Sequence, residues 1–317
     1  MLAYRRWLPR MIEKQIDIVA NGNKLSGTIC LPDDKGRFPF VLMVHGSGPL
    51  DRDENMKGQK LNVFNSFAHH IANEGIASLR YDKRGCGKSA GDYYTAGHSD
   101  FVEDAIAWFD TLVQVEVCKP NEIYVLGHSE GAIIAPQMSI KRPSIAGIIL
   151  LCPFVQKMES VLISQAEHIQ EAINDLKGVK GLLYRTLSRL AGNPIASQKK
   201  LIQRLKLSDS PILRYWFRKI PGNWLRELLQ LAPEEIFRKV TCPVLLVGGQ
   251  KDIQCDPADV DRIAEITNCA LDAHVVRNLT HILRFDECKP SIFRYRELIK
   301  KPVEPTVLNL VSNWLKR

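Results

Sequence analysis

In "KQIDIVANGNKLSGTICLP" apolar and polar residues alternate on both sides of Asn21-Gly22-Asn23. Two half-buried strands joined by a turn that tolerates positive φ give this pattern, so the spacing predicts a β-hairpin. The run "FPFVLMVHG" is apolar almost throughout, as a strand buried on both faces of a parallel sheet must be. "LNVFNSFAHHIANEG" then carries apolar residues near helical period and ends in glycine, a helix with its C-cap. The alternation continues through strand "IASLRYD", helix "SDFVEDAIAWFDTLVQ", strand "EIYVLGH", a helix from Ser129 onward and strand "IAGIILLCP". Repeated units of this kind predict an α/β fold whose parallel sheet has right-handed crossovers and helices on both faces.

The rhythm stops between about 155 and 236. This segment reads as helical, with breakers at Gly192-Asn193-Pro194, Ser210-Pro211 and Pro221-Gly222-Asn223, and shows no clear strand. It resumes with "CPVLLVGGQKD", helix "PADVDRIAEIT", strand "ALDAHVVRN" and a closing helix "PTVLNLVSNWLKR". The expected organisation is therefore one core, residues 1–154 and 237–317, with a mostly parallel sheet of about eight strands and a helical cap or lid, 155–236, inserted between strands. "ILRFDECKPSIFRYRELIKKPVEP" reads as an extended loop able to help wall a site.

Composition narrows the class. At 317 residues and 45% hydrophobic the chain can bury a large core. Its apolar runs are far shorter than the roughly 20 residues needed to cross a bilayer, so no membrane span is expected. "MLAYRRWLPRMIEKQ" lacks the apolar stretch of a secretion signal, and its Leu, Trp and Met are expected to pack against the body. Eight cysteines without CxxC pairs read as reduced thiols in a cytoplasmic protein, with no metal site. The net charge of +8 is concentrated: residues 154–230 hold 13 Lys plus Arg against six Asp plus Glu. A solvated helical surface is the favoured reading, and a basic rim for anionic substrates the sharper one. No nucleic-acid motif accompanies the charge, and a homodimer is compatible with the sequence.

Ligands of open α/β sheets sit outside the carboxyl ends of the strands. Four strand ends carry suggestive groups: His45-Gly46-Ser47-Gly48, Asp82, Ser129 and Asp252. In "YVLGHSEGAII" a Gly-x-Ser-x-Gly lies between strand and helix, where flanking glycines permit a sharp turn that lifts the Ser129 hydroxyl above the sheet. A serine needs a base, and the base an orienting acid, in the chain order Ser, Asp or Glu, His. Asp252 and His281 fit that order, with Asp256 as the fallback acid. The backbone N–H of Glu130 and of Ser47, with Gly46 as runner-up, are the expected oxyanion donors. Gly46 and His128 are expected against the substrate, and His45 to brace the glycine loop. His98 and His168 are read as surface residues, and Asp82 is expected to pair with Arg84.

The strings "HGSGPLDRDEN", "RYDKRGCGKS", "GHSEGAIIAP", "GGQKD" and "NLTHIL" resemble bacterial EstD-type carboxylesterases and related serine hydrolases of the α/β-hydrolase superfamily. The resemblance runs from about 12 to 317 and is weakest in the insertion. It implies the α/β-hydrolase fold, hydrolysis of small-molecule esters with short or medium acyl chains through Ser129, Asp252 and His281, and no cofactor. Thr280 stands where relatives often carry Asn, and Pro136 interrupts the helix after Ser129 as in the subgroup. An acyl-CoA thioesterase or acyltransferase and an aminopeptidase-like peptidase share this chemistry and remain alternatives; a non-catalytic ligand sensor would not need all three residues.

Overall fold

The computed structural model describes residues 11–215 and 218–317, so most of the N-terminal segment expected to pack on the body lies outside the described residues. The hairpin forms as β1 (Ile12–Ala20) and β2 (Asn23–Leu31). Asn21 and Gly22 have φ of 49° and 75°, the left-handed pair that a two-residue turn requires. There follow β3 (Phe38–Val44), α1 (Val63–Asn73), β4 (Ala77–Tyr81), α2 (His98–Val113), β5 (Cys118–His128), α3 (Gly131–Lys141) and β6 (Gly147–Leu151). After the intervening segment come β9 (Val244–Gly249), α9 (Asp259–Ile266), β10 (Leu271–Val276), α10 (Tyr295–Leu298) and α11 (Pro305–Trp314).

Eight strands form one sheet in the order β1-β2-β4-β3-β5-β6-β9-β10, antiparallel at β1-β2 and β2-β4 and parallel elsewhere. The apolar strands divide their side chains between two cores. Phe40, Leu42 and Val44 of β3 join Phe101 and Ile133 of α2 and α3 on one face. Val41 and Met43 join Phe67 of α1 and Val307 of α11 on the other. Each buried aliphatic side chain contributes about 1.5–3 kcal/mol, which is why continuous rather than alternating hydrophobicity marks these strands.

Strand β6 pairs directly with β9, so residues 152–243 leave and rejoin the sheet between neighbouring strands. They build α4 (Met158–Asp175), α5 (Gly178–Ala191), α6 (Pro194–Lys206), α7 (Gly222–Gln230) and α8 (Pro233–Phe237). They also build a small antiparallel ribbon, β7 (Ile212–Tyr215) with β8 (Arg218–Pro221), which corrects the expectation of a segment without strands. At four residues each, with Arg214, Arg218 and Lys219 among them, these strands carry no alternation long enough to read. The loop after His281 is likewise not wholly extended, since it contains α10.

Candidate active site

The turn between β5 and α3 holds Ser129 at φ 55°, a left-handed conformation that is strained for any residue with a Cβ. Crowding explains the flanking glycines. A Cβ on Gly131 would overlap the Val44 carbonyl, and one on Gly127 would overlap the Gly131 carbonyl. The Ser129 N–H donates to Leu151 O at 2.9 Å, tying the turn to β6.

Three residues distant in sequence meet there. His281 Nε2 lies 3.0 Å from Ser129 Oγ, and His281 Nδ1 lies 2.7 Å from Asp252 Oδ2. Asp252 also accepts the Gln254 and Cys255 N–H groups at 2.7 and 3.0 Å. Burial pushes its carboxyl up, but the charge and hydrogen bond of His281 and these two N–H groups outweigh it and hold the group ionised. Asp256 is occupied otherwise, accepting the Ala258 N–H before α9 and facing Gln156 and Arg262. Thr280 closes its own turn, its hydroxyl donating to Arg284 O at 2.9 Å. A serine paired with a histidine that a buried carboxylate orients can attack an electrophilic carbonyl.

Among the described residues the N–H groups of Ser47 and Glu130 have no intramolecular acceptor. Gly46 cannot be the second donor through its N–H, which donates to Glu54 Oε1 at 2.8 Å. The other oxygen of Glu54 accepts His128 Nδ1 at 2.8 Å, and His128 Nε2 donates to the His281 carbonyl at 3.0 Å. Gly46 and His128 both border the cavity, but neither ring nitrogen of His128 is free for a ligand. Both ring nitrogens face acceptors, an arrangement that favours the imidazolium form of His128. Burial opposes that charge, yet the charge and hydrogen bond of Glu54 and the His281 carbonyl raise His128 above its ordinary 6.5. Glu54 moves down from 4.5 in return: burial pushes it up, and His128 and the Gly46 N–H more than reverse the shift.

The His128 contribution to stability is complete below pH 6.5 and is lost as pH rises through its folded value; that of Glu54 is present above pH 4.5 and is lost as pH falls through its own. Thermal denaturation of the wild type as pH is raised above 6.5 is expected to show a falling limb that flattens in His128→Gln. Parallel curves would remove the imidazolium.

Other placements correct the sequence reading. Asp82 pairs with Arg52, whose Nη2 is 2.5 Å away, and Arg84 with Asp104 and Asp100 at 2.6 and 2.8 Å, not with each other. His98 is buried, its Nδ1 3.2 Å from Glu130 Oε1, and His168 is half-buried with Nδ1 3.1 Å from Ile253 O. His45 braces as expected, donating to Tyr81 O, and burial together with the Lys83 charge holds its pKa near 4. The Glu130 carboxylate is buried and accepts Lys83 Nζ, His98 Nδ1 and Trp224 Nε1. Burial opposes its ionisation, but these partners, Lys83 foremost, bring its pKa down to about 2.

A cavity of about 260 Å³ opens above Ser129. Leu50, Met56 and Leu61 wall it from the loop after β3, Met158, Val161, Leu162 and Trp224 from the segment between β6 and β9, and Tyr295, Arg296 and Ile299 from the region of α10. Cys152, Asp252 and His281 place possible ligand atoms within 4.8 Å of one another, the one grouping among the described residues that could hold a metal ion. Burial, with Asp252 next, pushes the Cys152 thiol well up, so it stays protonated and is a poor ligand.

The chain and its fold have parallels among known proteins. Esterase EstD of Thermotoga maritima is 26% identical over 309 residues, covering 97% of this chain and 68% of that protein. Est1E from Butyrivibrio proteoclasticus, solved with ferulic acid bound, superposes with a TM-score of 0.59 at 21% identity, covering 95% of this chain and 96% of that one. The α/β hydrolase GrgF from Penicillium sp. sh18 gives 0.61 at 17% identity, covering 96% and 98%. Residues 57–287 match the family model described as serine aminopeptidase, S33, and with that match extending over well more than half its length the chain belongs to this family of α/β-hydrolases.

Proposed function

We propose that the protein is a carboxylesterase acting on small esters with short or medium acyl chains through an acyl-enzyme at Ser129. Ser129 Oγ attacks the ester carbonyl as its proton passes to His281 Nε2, while Asp252 holds the imidazole in register and stabilises the imidazolium. The tetrahedral oxyanion is received by the N–H groups of Ser47 and Glu130. His281 then gives its proton to the departing alcohol, and water, activated by the same histidine, releases the acid. The observation that carries this reading is the hydrogen-bonded row Ser129, His281, Asp252 at the floor of a small, mainly apolar cavity. At about 260 Å³ the cavity falls just below the roughly 300–1,000 Å³ of ordinary ligand pockets, which supports a short or medium acyl group. Residues 155–236 act as a cap, supplying one wall. Eight unpaired cysteines fit a reducing, cytoplasmic setting, and among the described residues no helix is long and apolar enough to cross a membrane.

The family description raises a peptidase reading. An aminopeptidase needs a carboxylate to receive the substrate ammonium, but both carboxylates lining the cavity are committed, Glu54 to Gly46 and His128 and Glu130 to Lys83, His98 and Trp224. This favours esters. A panel of p-nitrophenyl esters, acyl-CoAs and aminoacyl anilides tests it, with ester kcat/KM expected to dominate. Faster anilide turnover would make the enzyme a peptidase. Acyl-CoA turnover that falls steeply with salt would instead give the basic segment a ligand.

Val161, buried on α4 against the cavity, gives a finer test. Val161→Phe is expected to lower kcat/KM for octanoate esters roughly tenfold while sparing acetate, since a methylene-sized change in an apolar pocket is worth about 10–200-fold. Equal losses for both would move the acyl group elsewhere.

A further inference from the structure

Lys83 follows β4 by two residues, and its side chain is 3% exposed. A buried ammonium is costly unless fully paired. Here Nζ donates to the Gly46 carbonyl at 2.8 Å and to Glu130 Oε2 at 3.1 Å, and lies 4.5 Å from the Phe101 ring centroid. The first of these contacts bears on the chemistry of the site.

The Gly46 carbonyl and the Ser47 N–H belong to one peptide group. Among the described residues no peptide bond is cis, so the two lie in one plane and point in opposite directions within it. Whatever holds the carbonyl therefore aims the N–H. The loop needs such a hold, because Gly46 and Gly48 flank Ser47 and Gly48 sits at φ 111°, so little steric restraint opposes rotation of the plane. The Gly46 backbone is already packed where an added Cβ would come 3.3 Å from Ser129 Cβ, and its N–H is pinned by Glu54 at 2.8 Å. With that end fixed, the remaining freedom of the loop is the tilt of the Gly46-Ser47 plane, and the Lys83 ammonium is the group bonded to it.

We infer that Lys83 is a positioning residue for the hydrolysis: its ammonium fixes the Gly46-Ser47 peptide with the Ser47 N–H toward the ester oxygen, and Glu130 is its counter-ion. This rests on the proposed function, in which Ser47 and Glu130 supply the two oxyanion donors. The Lys83-Glu130 pair joins the segments bearing those donors, and Trp224 Nε1, donating to the same carboxylate, ties α7 to them.

The test uses the full chain and three variants. Lys83→Met keeps the aliphatic stem and removes the donor, but leaves a carboxylate short of a partner. Lys83→Met/Glu130→Gln removes both charges and keeps the Glu130 N–H, so it guards against simple misfolding. Losing one oxyanion donor outright costs about 10²–10³ in kcat. A misaimed donor in the double variant should lower kcat on the order of 10²-fold, leave KM within about threefold, and weaken a trifluoromethyl ketone, whose adduct carries the oxyanion, by the same factor as kcat. A folded double variant with wild-type kcat, or one whose substrate and ketone affinities fall equally, would overturn the inference. Ser129→Ala separates the two levels: if it abolishes turnover while the Lys83 variants keep theirs, only the positioning role fails, and if it retains turnover the acyl-enzyme reading fails first.

Discussion

Ser129→Ala is expected to reduce kcat on short p-nitrophenyl esters by about 10⁶-fold, with His281→Ala close behind and Asp252→Asn lower by about 10⁴-fold, the losses seen when triads are dismantled elsewhere. The geometry argues for a unit rather than three separate contributions. Ser129 Oγ, His281 and Asp252 form one chain of hydrogen bonds at 3.0 and 2.7 Å, so once the nucleophile is gone the base has no proton to take. Ser129→Ala/His281→Ala should then be no slower than Ser129→Ala alone. Asp252→Asn offers an amide where the imidazole N–H needs an acceptor, which favours the wrong tautomer while leaving the fold intact. Steady-state kinetics with circular dichroism on the same samples decides the matter. A folded Ser129→Ala enzyme that keeps even one-hundredth of wild-type kcat would remove Ser129 as the nucleophile. Near-full activity in Asp252→Asn would pass the orienting role to another carboxylate, although Asp256 is turned toward α9 and Arg262.

These three residues were legible because the constraints on them are local and sequential. A strand buried on both faces must be apolar throughout, a turn this tight must be flanked by glycine, and parallel strands deliver their ends to one edge in a fixed order. The hairpin was readable at Asn21-Gly22 for the same reason. What escaped lies in buried charge, which has no period. Asp82 and Arg84 are two residues apart and of opposite sign, yet the turn through Gly85 and Gly87, at φ 72° and 52°, sends them to different partners. Gly87 packs so close that a Cβ would overlap the Asp82 carboxyl, which leaves that carboxylate to Arg52 and the Lys88 N–H. His98 reads as a polar residue beginning a helix; it is buried because Glu130 and Gln137 meet it there. The short strands β7 and β8 and the single turn of α10 are too brief for any periodicity to accumulate.

Glu54 is the clearest case of a residue hidden inside a recognised string, and Glu54→Leu is expected to cost about 3–5 kcal/mol, the penalty for stranding a buried charge. Within "HGSGPLDRDEN" nothing distinguishes its carboxylate from those of Asp51 and Asp53. In the fold it is 1% exposed, at φ 60°, with one oxygen on the Gly46 N–H and the other on His128. Leucine would leave the Gly46 N–H and His128 Nδ1 buried without partners, and His128 would have to hold an uncompensated charge or give up its proton. Glutamine would not: its oxygen can keep the Gly46 N–H and its amide can face a neutral His128 Nδ1, which still leaves Nε2–H for the His281 carbonyl. Glu54→Gln should therefore cost only about 1 kcal/mol, the net worth of an ordinary hydrogen bond. It should also lose the alkaline limb of the stability curve and retain kcat within about tenfold, since both the glycine loop and the His281 loop stay tethered. Urea unfolding of the two variants at pH 6.5, read as midpoint shifts at constant slope, separates the charge from the hydrogen bond. Equal losses for Leu and Gln would mean that neither the Glu54 charge nor its bond to the Gly46 N–H adds to stability, and a loss below about 1 kcal/mol for Leu would mean that Glu54 is not what fastens the glycine loop to the histidine loop.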